Sequence, residues 1–180
     1  MKKPLKDFII QFVGLKEEKH YFKYQIDKKF FEFYEYDEFN DTKVIVNVVL
    51  NKKATLLELH FEASGTVNVN CDLINEPYDE QLNQNFDLVV NFGDEFNNEN
   101  EEILILPHGE YEINISQYIY ELIVLSVPLK RIHPGVKDGT INSDILDKLE
   151  ELSPKSLEDK EDNEDIDPRW NTLKKLITDK

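Results

Sequence analysis

The fold is organised around residues 65–78, which read Gly-Thr-Val-Asn-Val-Asn-Cys-Asp-Leu-Ile-Asn-Glu-Pro-Tyr. The first half alternates apolar and polar residues, which is the pattern of a strand with one buried face, and the second half is a polar turn that ends at Pro77. This phase puts Cys71, the only cysteine of the chain, on the apolar face with Val67 and Val69. We therefore predict a strand that ends in a corner, with Cys71 as a small buried residue.

The segments before this corner show the same alternation. Four earlier strands are predicted, over residues 5–12, 20–26, 43–50 and 56–63. Ser64 and Gly65 are predicted to close a tight hairpin turn between residues 56–63 and 66–71. The strands between residues 43 and 71 would then form an antiparallel meander. Asp27 is predicted to cap a short helix that begins at Lys28.

After the corner, the pattern changes from strands to one long helix. Three further strands are predicted, over residues 81–92, 103–106 and 111–113. Asn114 and Gln117 have the spacing of a helix cap and its partner, and apolar residues then recur at helical spacing. We predict a helix over residues 115–126, which Pro128 ends.

The predicted fold class is α+β and mainly β: an antiparallel meander or partly closed barrel, with one long covering helix and a C-terminal helix after an acidic linker. The predicted domains are residues 1–136 as the β domain, 137–166 as the linker and 167–180 as an amphipathic C-terminal helix. Within the linker, residues 143–152 are predicted to form one or two helical turns. Asp167 as N-cap and Pro168 at the first helical position mark the start of the terminal helix.

Composition and charge limit the classes of partner. The 180 residues carry a formal net charge of -16, which argues against broad contact with phosphates and favours a cationic partner, or else serves solubility. A single cysteine excludes an internal disulfide and is typical of a reducing compartment. No apolar run approaches the roughly 20 residues of a membrane span, and the first residues lack a signal peptide. We therefore expect a cytoplasmic protein without a membrane partner.

No pattern in the chain identifies a catalytic or metal centre. Cys71 could act as a nucleophile only with a base, and none of the four histidines lies in a recognisable partner motif. A zinc site would need further ligands whose spacing the sequence does not show. We expect no cofactor, no metal and no enzymatic activity, and keep a Cys71-dependent enzyme as the least favoured alternative.

Exposed polar and aromatic residues are the candidates for partner binding. The corner offers its polar turn, the segment after the long helix offers a basic pair, and the C-terminal helix offers an apolar stripe with Trp170, although this helix is equally consistent with docking on its own domain. The residues are Asp72, Asn75, Glu76, Lys130, Arg131, Arg169, Trp170, Leu173 and Leu176. A mixed group near the N-terminus is a candidate for stacking and pairing with RNA, or for the core. It comprises Tyr21, Phe22, Lys23, Tyr24, Lys28 and Lys29.

Three motifs in order resemble the YceD family, whose members are known as large ribosomal RNA subunit accumulation proteins. They are the strand and turn of residues 69–78, the Tyr-Glu-Ile-Asn entry into a helix that ends at residues 127–129, and the closing Asp-Pro-Arg-Trp segment that continues to Leu176. Many relatives have C-x-x-C at this turn and further Cys or His after the helix. Here Cys71 matches the first position, Ile74 stands at the second, and only His133 remains downstream. The resemblance therefore does not carry zinc over to this chain.

The resemblance implies a cytoplasmic, non-enzymatic factor that supports accumulation of large-subunit ribosomal RNA. Together with the acidic charge, it leads us to expect a basic large-subunit ribosomal protein, or a pre-subunit particle reached through such a protein, as the partner. Direct binding of ribosomal RNA by the N-terminal lysines and aromatic residues is the alternative.

Overall fold

The computed structural model describes residues 5–141 and 144–153. The chain divides into two compact units, Met1–Asn142 and Ser143–Lys180. The second unit contains one described helix, which lies where the sequence predicted helical turns within the acidic segment. The predicted terminal helix, with Arg169, Trp170, Leu173 and Leu176, falls outside the described residues.

Seven strands and four helices follow one another in the described part of the chain. The strands are β1 (Ile9–Gln11), β2 (Lys19–Ile26), β3 (Asp41–Lys52), β4 (Leu56–Asn70), β5 (Pro77–Gly93), β6 (Ile103–Pro107) and β7 (Glu112–Asn114). The helices are α1 (Lys28–Phe33), α2 (Ser116–Ser126), α3 (Pro134–Lys137) and α4 (Asp144–Leu152). The prediction of a mainly β, α+β fold is confirmed.

A five-stranded sheet with the order β2-β3-β4-β5-β6 is the centre of the first unit. Its first four strands form an antiparallel meander, whereas β6 runs parallel to β5. A smaller antiparallel sheet pairs β1 with β7. Of the two predicted architectures, the meander is confirmed, and the strands that the structure describes do not close into a barrel.

The parallel placement of β6 differs from the predicted antiparallel arrangement. Residues 94–102 carry the chain back along β5, so that β6 starts beside Val89 and runs in the same direction as its neighbour. Asn97 of this loop pairs with Ile105 on the other side of β6 through two backbone hydrogen bonds of 3.0 and 2.8 Å. The loop therefore satisfies part of the edge that β6 would otherwise expose.

The predicted turn at Ser64 and Gly65 is wrong, because β4 is one continuous strand of 15 residues. Gly65 pairs with Val44 of β3 and has a φ of +148°. A Cβ atom at this position would lie 2.2 Å from the backbone oxygen of Lys43. Glycine is thus required here by a close approach of two strands, and the sequence pattern alone resembles that of a turn.

The apolar face of the sheet is covered by helices. The predicted covering helix is α2, which packs on β5 and β4, while α1 packs on β3. Ile119 and Ile123 of α2 are fully buried, and burial of such a side chain contributes about 1.5–3 kcal/mol. Tyr34, just after α1, stacks on Tyr120 of α2 with ring centroids 4.3 Å apart, so the two helices form one layer.

The side-chain contacts at the starts of α1 and α2, and the start of the first strand, differ from the predicted ones. Asp27 occupies the position before α1, yet its side chain makes no capping hydrogen bond. Asn114 accepts a hydrogen bond of 2.9 Å from the Ser116 backbone N–H, but the Gln117 side chain donates to Glu121 instead of reaching back. The first predicted strand begins with a 3₁₀ turn, Lys6–Phe8, and only β1 is extended.

Replacing Gly65 with alanine should destabilise the first unit by at least about 2 kcal/mol, because the new Cβ would collide with the Lys43 carbonyl and force an unfavourable φ. Gly14→Ala is the matched control, since nothing lies within 4 Å of the position that a Cβ atom would take there. Urea unfolding of both variants measures the difference. Equal midpoints for the two variants would contradict the close approach of β3 and β4.

Candidate partner-binding surface

The predicted corner is present between β4 and β5 and is closed by its own backbone. The Cys71 N–H donates to the Glu76 carbonyl at 2.9 Å, and the Asn75 N–H donates to the Cys71 carbonyl at 2.8 Å. Asn75 has a φ of +56°, a conformation that asparagine tolerates better than most residues. Asn75 therefore suits the backbone conformation of the corner as well as its exposed position.

The segment after α2 is tied to this corner by Arg131. Its backbone N–H donates to Asp72 Oδ2 at 2.7 Å, and the Asp72 N–H donates to its carbonyl at 2.8 Å. The guanidinium group lies 3.5 Å from Asp72 Oδ1 and 3.1 Å from Glu38 Oε2. Two of the charged residues that the sequence offered for partner binding, Asp72 and Arg131, thus bind each other.

Cys71 is buried on the inner side of the corner, as predicted, with 2% of its surface exposed. Its sulfur accepts a hydrogen bond from the His133 backbone N–H at 3.3 Å. Burial raises the pKa of Cys71, but backbone N–H groups, including that of His133, outweigh it, so the pKa of this thiol lies below its ordinary value. The structure therefore brings together Cys71 and His133, which the sequence could only place apart.

These residues do not fit a zinc ion. Ile74, which stands at the second position of the corner motif, is 7% exposed and contributes a side chain that cannot bind a metal. His133 Nδ1 already accepts a hydrogen bond of 2.9 Å from the Gly135 N–H. Across the described part of the chain, no group of three or more His, Cys, Asp or Glu side chains could hold a metal ion.

The other predicted partner-binding residues are three around the corner and four in the predicted terminal helix. Asn75, Glu76 and Lys130 are exposed around the corner. Arg169, Trp170, Leu173 and Leu176 lie beyond the last described residue. The role of all nine in partner binding stays a prediction.

A larger exposed surface is the outer side of the five-stranded sheet, here called the open face. It consists of the side chains of β2, β3, β4 and β5 that alternate with the buried ones. The helices α1 and α2 of the first unit pack on the other side of the sheet. Many of its members are amides and hydroxyls, which suit a flat hydrated surface; examples are Gln25, Asn47, Ser64, Thr66, Asn83 and Asn85.

Charge is divided across the open face. Residues 54–129 contain fifteen Asp and Glu and no Lys or Arg, so β4 and β5 carry no basic side chain other than His60. Their outward carboxylates, Glu58, Glu62, Asp79 and Asp87, are here called the acidic half. Of these, Glu58 is partly neutralised by an ion pair with Lys53. Sequence reasoning missed this surface, although the long interval without a basic residue was a signal for it.

The opposite edge of the open face is basic. Lys19, Tyr21 and Lys23 of β2 point to the same side of the sheet and are all exposed; they are here called the lysine edge. The Tyr21 ring is 75% exposed, whereas Tyr24 turns inward and stacks on Phe8 at 5.1 Å. The N-terminal group of lysines and aromatic residues is thus divided between the surface and the core.

His60 lies within the acidic half. Its Nδ1 atom is 2.5 Å from Asp87 Oδ1, and its Nε2 atom is 3.4 Å from Glu62 Oε1. The hydrogen bond to Asp87 is the largest cause that raises the pKa of His60 above its ordinary value, against a smaller opposing effect of burial. The imidazole therefore holds a proton more readily than a free histidine and reduces the local negative charge when it does.

Comparison with known proteins identifies the family of this chain. A family model described as large ribosomal RNA subunit accumulation protein YceD matches residues 59–177, which begin within β4 and include the corner, α2 and α4. The chain belongs to the YceD family. Membership in YceD implies a role in accumulation of the large ribosomal RNA subunit. No curated protein and no solved structure matches the chain. Within the described residues, no helix is long and apolar enough to cross a bilayer.

Asp72→Ala in this YceD protein should lower the free energy of unfolding by about 1 kcal/mol, because the Arg131 backbone N–H loses its acceptor and the guanidinium group keeps only Glu38 as a partner. Glu76→Ala in the same turn is the control and should stay within about 0.5 kcal/mol of the parent chain. Chemical unfolding measures both. A loss for Glu76→Ala as large as for Asp72→Ala would show that the pair with Arg131 does not hold the corner.

The raised pKa of His60 predicts a pH-dependent contribution to stability. Because the folded-state pKa exceeds the unfolded value of about 6.5, the contribution is fully present below that value and is lost as the pH rises through the folded-state pKa. The difference in unfolding free energy between the parent chain and His60→Gln should therefore shrink from about pH 5.5 to about pH 8, as measured by urea titrations. An NMR titration midpoint for His60 at or below about 6.5 would contradict the contact with Asp87.

Proposed function

We propose that this YceD protein is a cytoplasmic, non-enzymatic factor that binds a basic large-subunit ribosomal protein, or a pre-subunit particle through such a protein, by its acidic half. In this way it supports accumulation of large-subunit ribosomal RNA. The observation that carries the proposal is the segregation of charge, which leaves β4 and β5 without a lysine or arginine on an exposed sheet surface.

The geometry of the acidic half supports a protein partner with lysine or arginine side chains. Glu62, Asp79 and Asp87 are exposed and lie on two neighbouring strands of a rigid sheet, so their positions are fixed before binding. Charges of one sign on such a surface accelerate association with a partner of the opposite sign by about 10- to 1,000-fold. The same charges repel free RNA, which favours recognition of the particle through its protein component.

Neutralising the acidic half tests the proposal in cells. The variant Glu62→Gln, Asp79→Asn and Asp87→Asn removes three negative charges from the open face. The matched control, Glu17→Gln, Glu18→Gln and Glu32→Gln, removes three exposed charges elsewhere in the first unit. We expect the parent chain and the control to co-sediment with large-subunit precursors, and the acidic-half variant to do so at least about tenfold less.

The readout also includes the level of large-subunit ribosomal RNA in a deletion strain complemented by each variant. The control should restore that level, whereas the acidic-half variant should not. Absence of the parent protein from every precursor fraction, together with normal large-subunit RNA after deletion, would overturn the proposal.

Direct binding of ribosomal RNA is the second candidate function, and one observation favours it. Tyr21 is an exposed aromatic ring between Lys19 and Lys23, an arrangement that suits a stacked base with phosphates on either side. If the protein binds RNA in this way, its affinity for single-stranded RNA should fall steeply with salt. Tyr21→Ala should weaken the binding, as measured by fluorescence anisotropy. Affinity that is undetectable or independent of salt would exclude this candidate.

A further inference from the structure

The open face carries complementary charge at its two edges. The lysine edge lies on β2 at one side of the sheet, and the outward carboxylates of β5 lie three strands away. One row across the strands runs from Tyr21 through Val49 and His60 to Asp87, and the next runs from Lys23 through Asn47 and Glu62 to Asn85. A surface with this arrangement is complementary to itself after a rotation of 180°.

We propose that the open face binds a second copy of this chain, in a two-fold dimer that sets the lysine edge of one copy on the acidic half of the other. A two-fold axis parallel to the strands, between β3 and β4, superposes β2 of one copy on β5 of the second. Tyr21 then lies over Asp87 of the second copy, and Lys19 and Lys23 flank this position, over Val89 and Asn85. Each contact occurs twice, as in the isologous dimers that are the commonest soluble oligomers.

The centre of the open face provides the apolar contacts of this dimer. Ile45 is 37% exposed on the outer side of β3, and Val49 lies on the same side opposite Tyr21. Near the axis, Val49 would lie over His60 of the second copy, and Ile45 would lie over Ser64 of the second copy. Polar amides surround them, which matches interfaces with a small apolar centre and a hydrated rim.

The size of the face limits the strength of the dimer. With strands about 4.8 Å apart and a rise of about 3.3 Å per residue, the four strands offer a flat footprint of roughly 600–700 Å² per copy. This is slightly below the roughly 800 Å² per partner of a standard specific interface, so the dimer is weak and exchanges on dilution. Two chains of net charge -16 also repel each other, but the screening length at 0.15 M salt is about 8 Å, which weakens this long-range repulsion more than the contacts at the interface.

The dimer has a consequence that rests on the proposed function. Because the lysine edge of the second copy occupies the same carboxylates that a basic partner would bind, the dimer is the partner-free form of the protein. Its test uses the full chain alone, so the result does not depend on whether the proposed ribosomal partner is correct.

Sedimentation equilibrium at about 0.15 M salt tests the dimer with a pair of charge-reversed variants. Variant A carries Lys19→Glu and Lys23→Glu; variant B carries Glu62→Lys and Asp87→Lys. We expect the full-length parent chain to dimerise between about 10 and about 500 µM, within the range of weak interfaces, and each variant alone to stay monomeric. An equimolar mixture of A and B should form a heterodimer, since the reversed charges on β2 of A then flank the reversed charge on β5 of B, and the other half of the interface keeps its native charges.

Two controls separate the interface from general charge effects. Lys28→Glu with Lys29→Glu has the same net charge as variant A, but its changes lie on exposed positions of α1, so it should dimerise like the parent chain. Circular dichroism of each variant establishes that it is folded. A monomeric parent chain at about 500 µM, a monomeric mixture of folded A and B, or loss of the dimer in the α1 control would overturn the proposal.

Discussion

The close approach of the β3 and β4 backbones at Gly65 is the constraint on which the sheet depends. A side chain there would meet the Lys43 carbonyl, so only glycine lets β4 continue past this point in register with β3. The continuous strand then pairs along its whole length with β5, from Leu56 opposite Asn91 to Asn70 opposite Pro77. This long pairing places the corner at one end of the sheet and gives β4 and β5 one uninterrupted outer surface.

The separation of charge follows from that geometry. In a sheet that is covered on one side, alternate residues of each strand must be apolar, and the polar ones share the opposite side. Because the outward residues of β4 and β5 include four carboxylates and no lysine or arginine, the outer surface of both strands is negative. Lysines on β2 make the other edge positive. The strand order therefore determines which edge of the sheet is negative and which is positive. The net charge of -16 does not reveal this separation.

Much of the fold could be predicted from alternation and spacing. The phases of β3 and β5, the helix α2 and the burial of Cys71 with Val67 and Val69 follow from local pattern, because each depends on which face of one element is apolar. The turn at Gly65 was mispredicted because the residue types of a turn and of a close strand contact are the same. Parallel pairing of β6 with β5, and the contact of Arg131 with Asp72, depend on where distant segments meet, and a single sequence does not encode that in local spacing.

We propose that the acidic half links this fold to the role of a YceD protein in the accumulation of large-subunit ribosomal RNA. Photo-crosslinking from a single position measures that link most directly: a photoreactive amino acid is placed at Asn83 on the outer side of β5, or at Gln25 on the outer side of β2, in cells that make the full-length protein. The account predicts crosslinks from Asn83 to a basic large-subunit ribosomal protein, and fewer from Gln25. Crosslinks to such a protein only from Gln25, or from neither position, would contradict it.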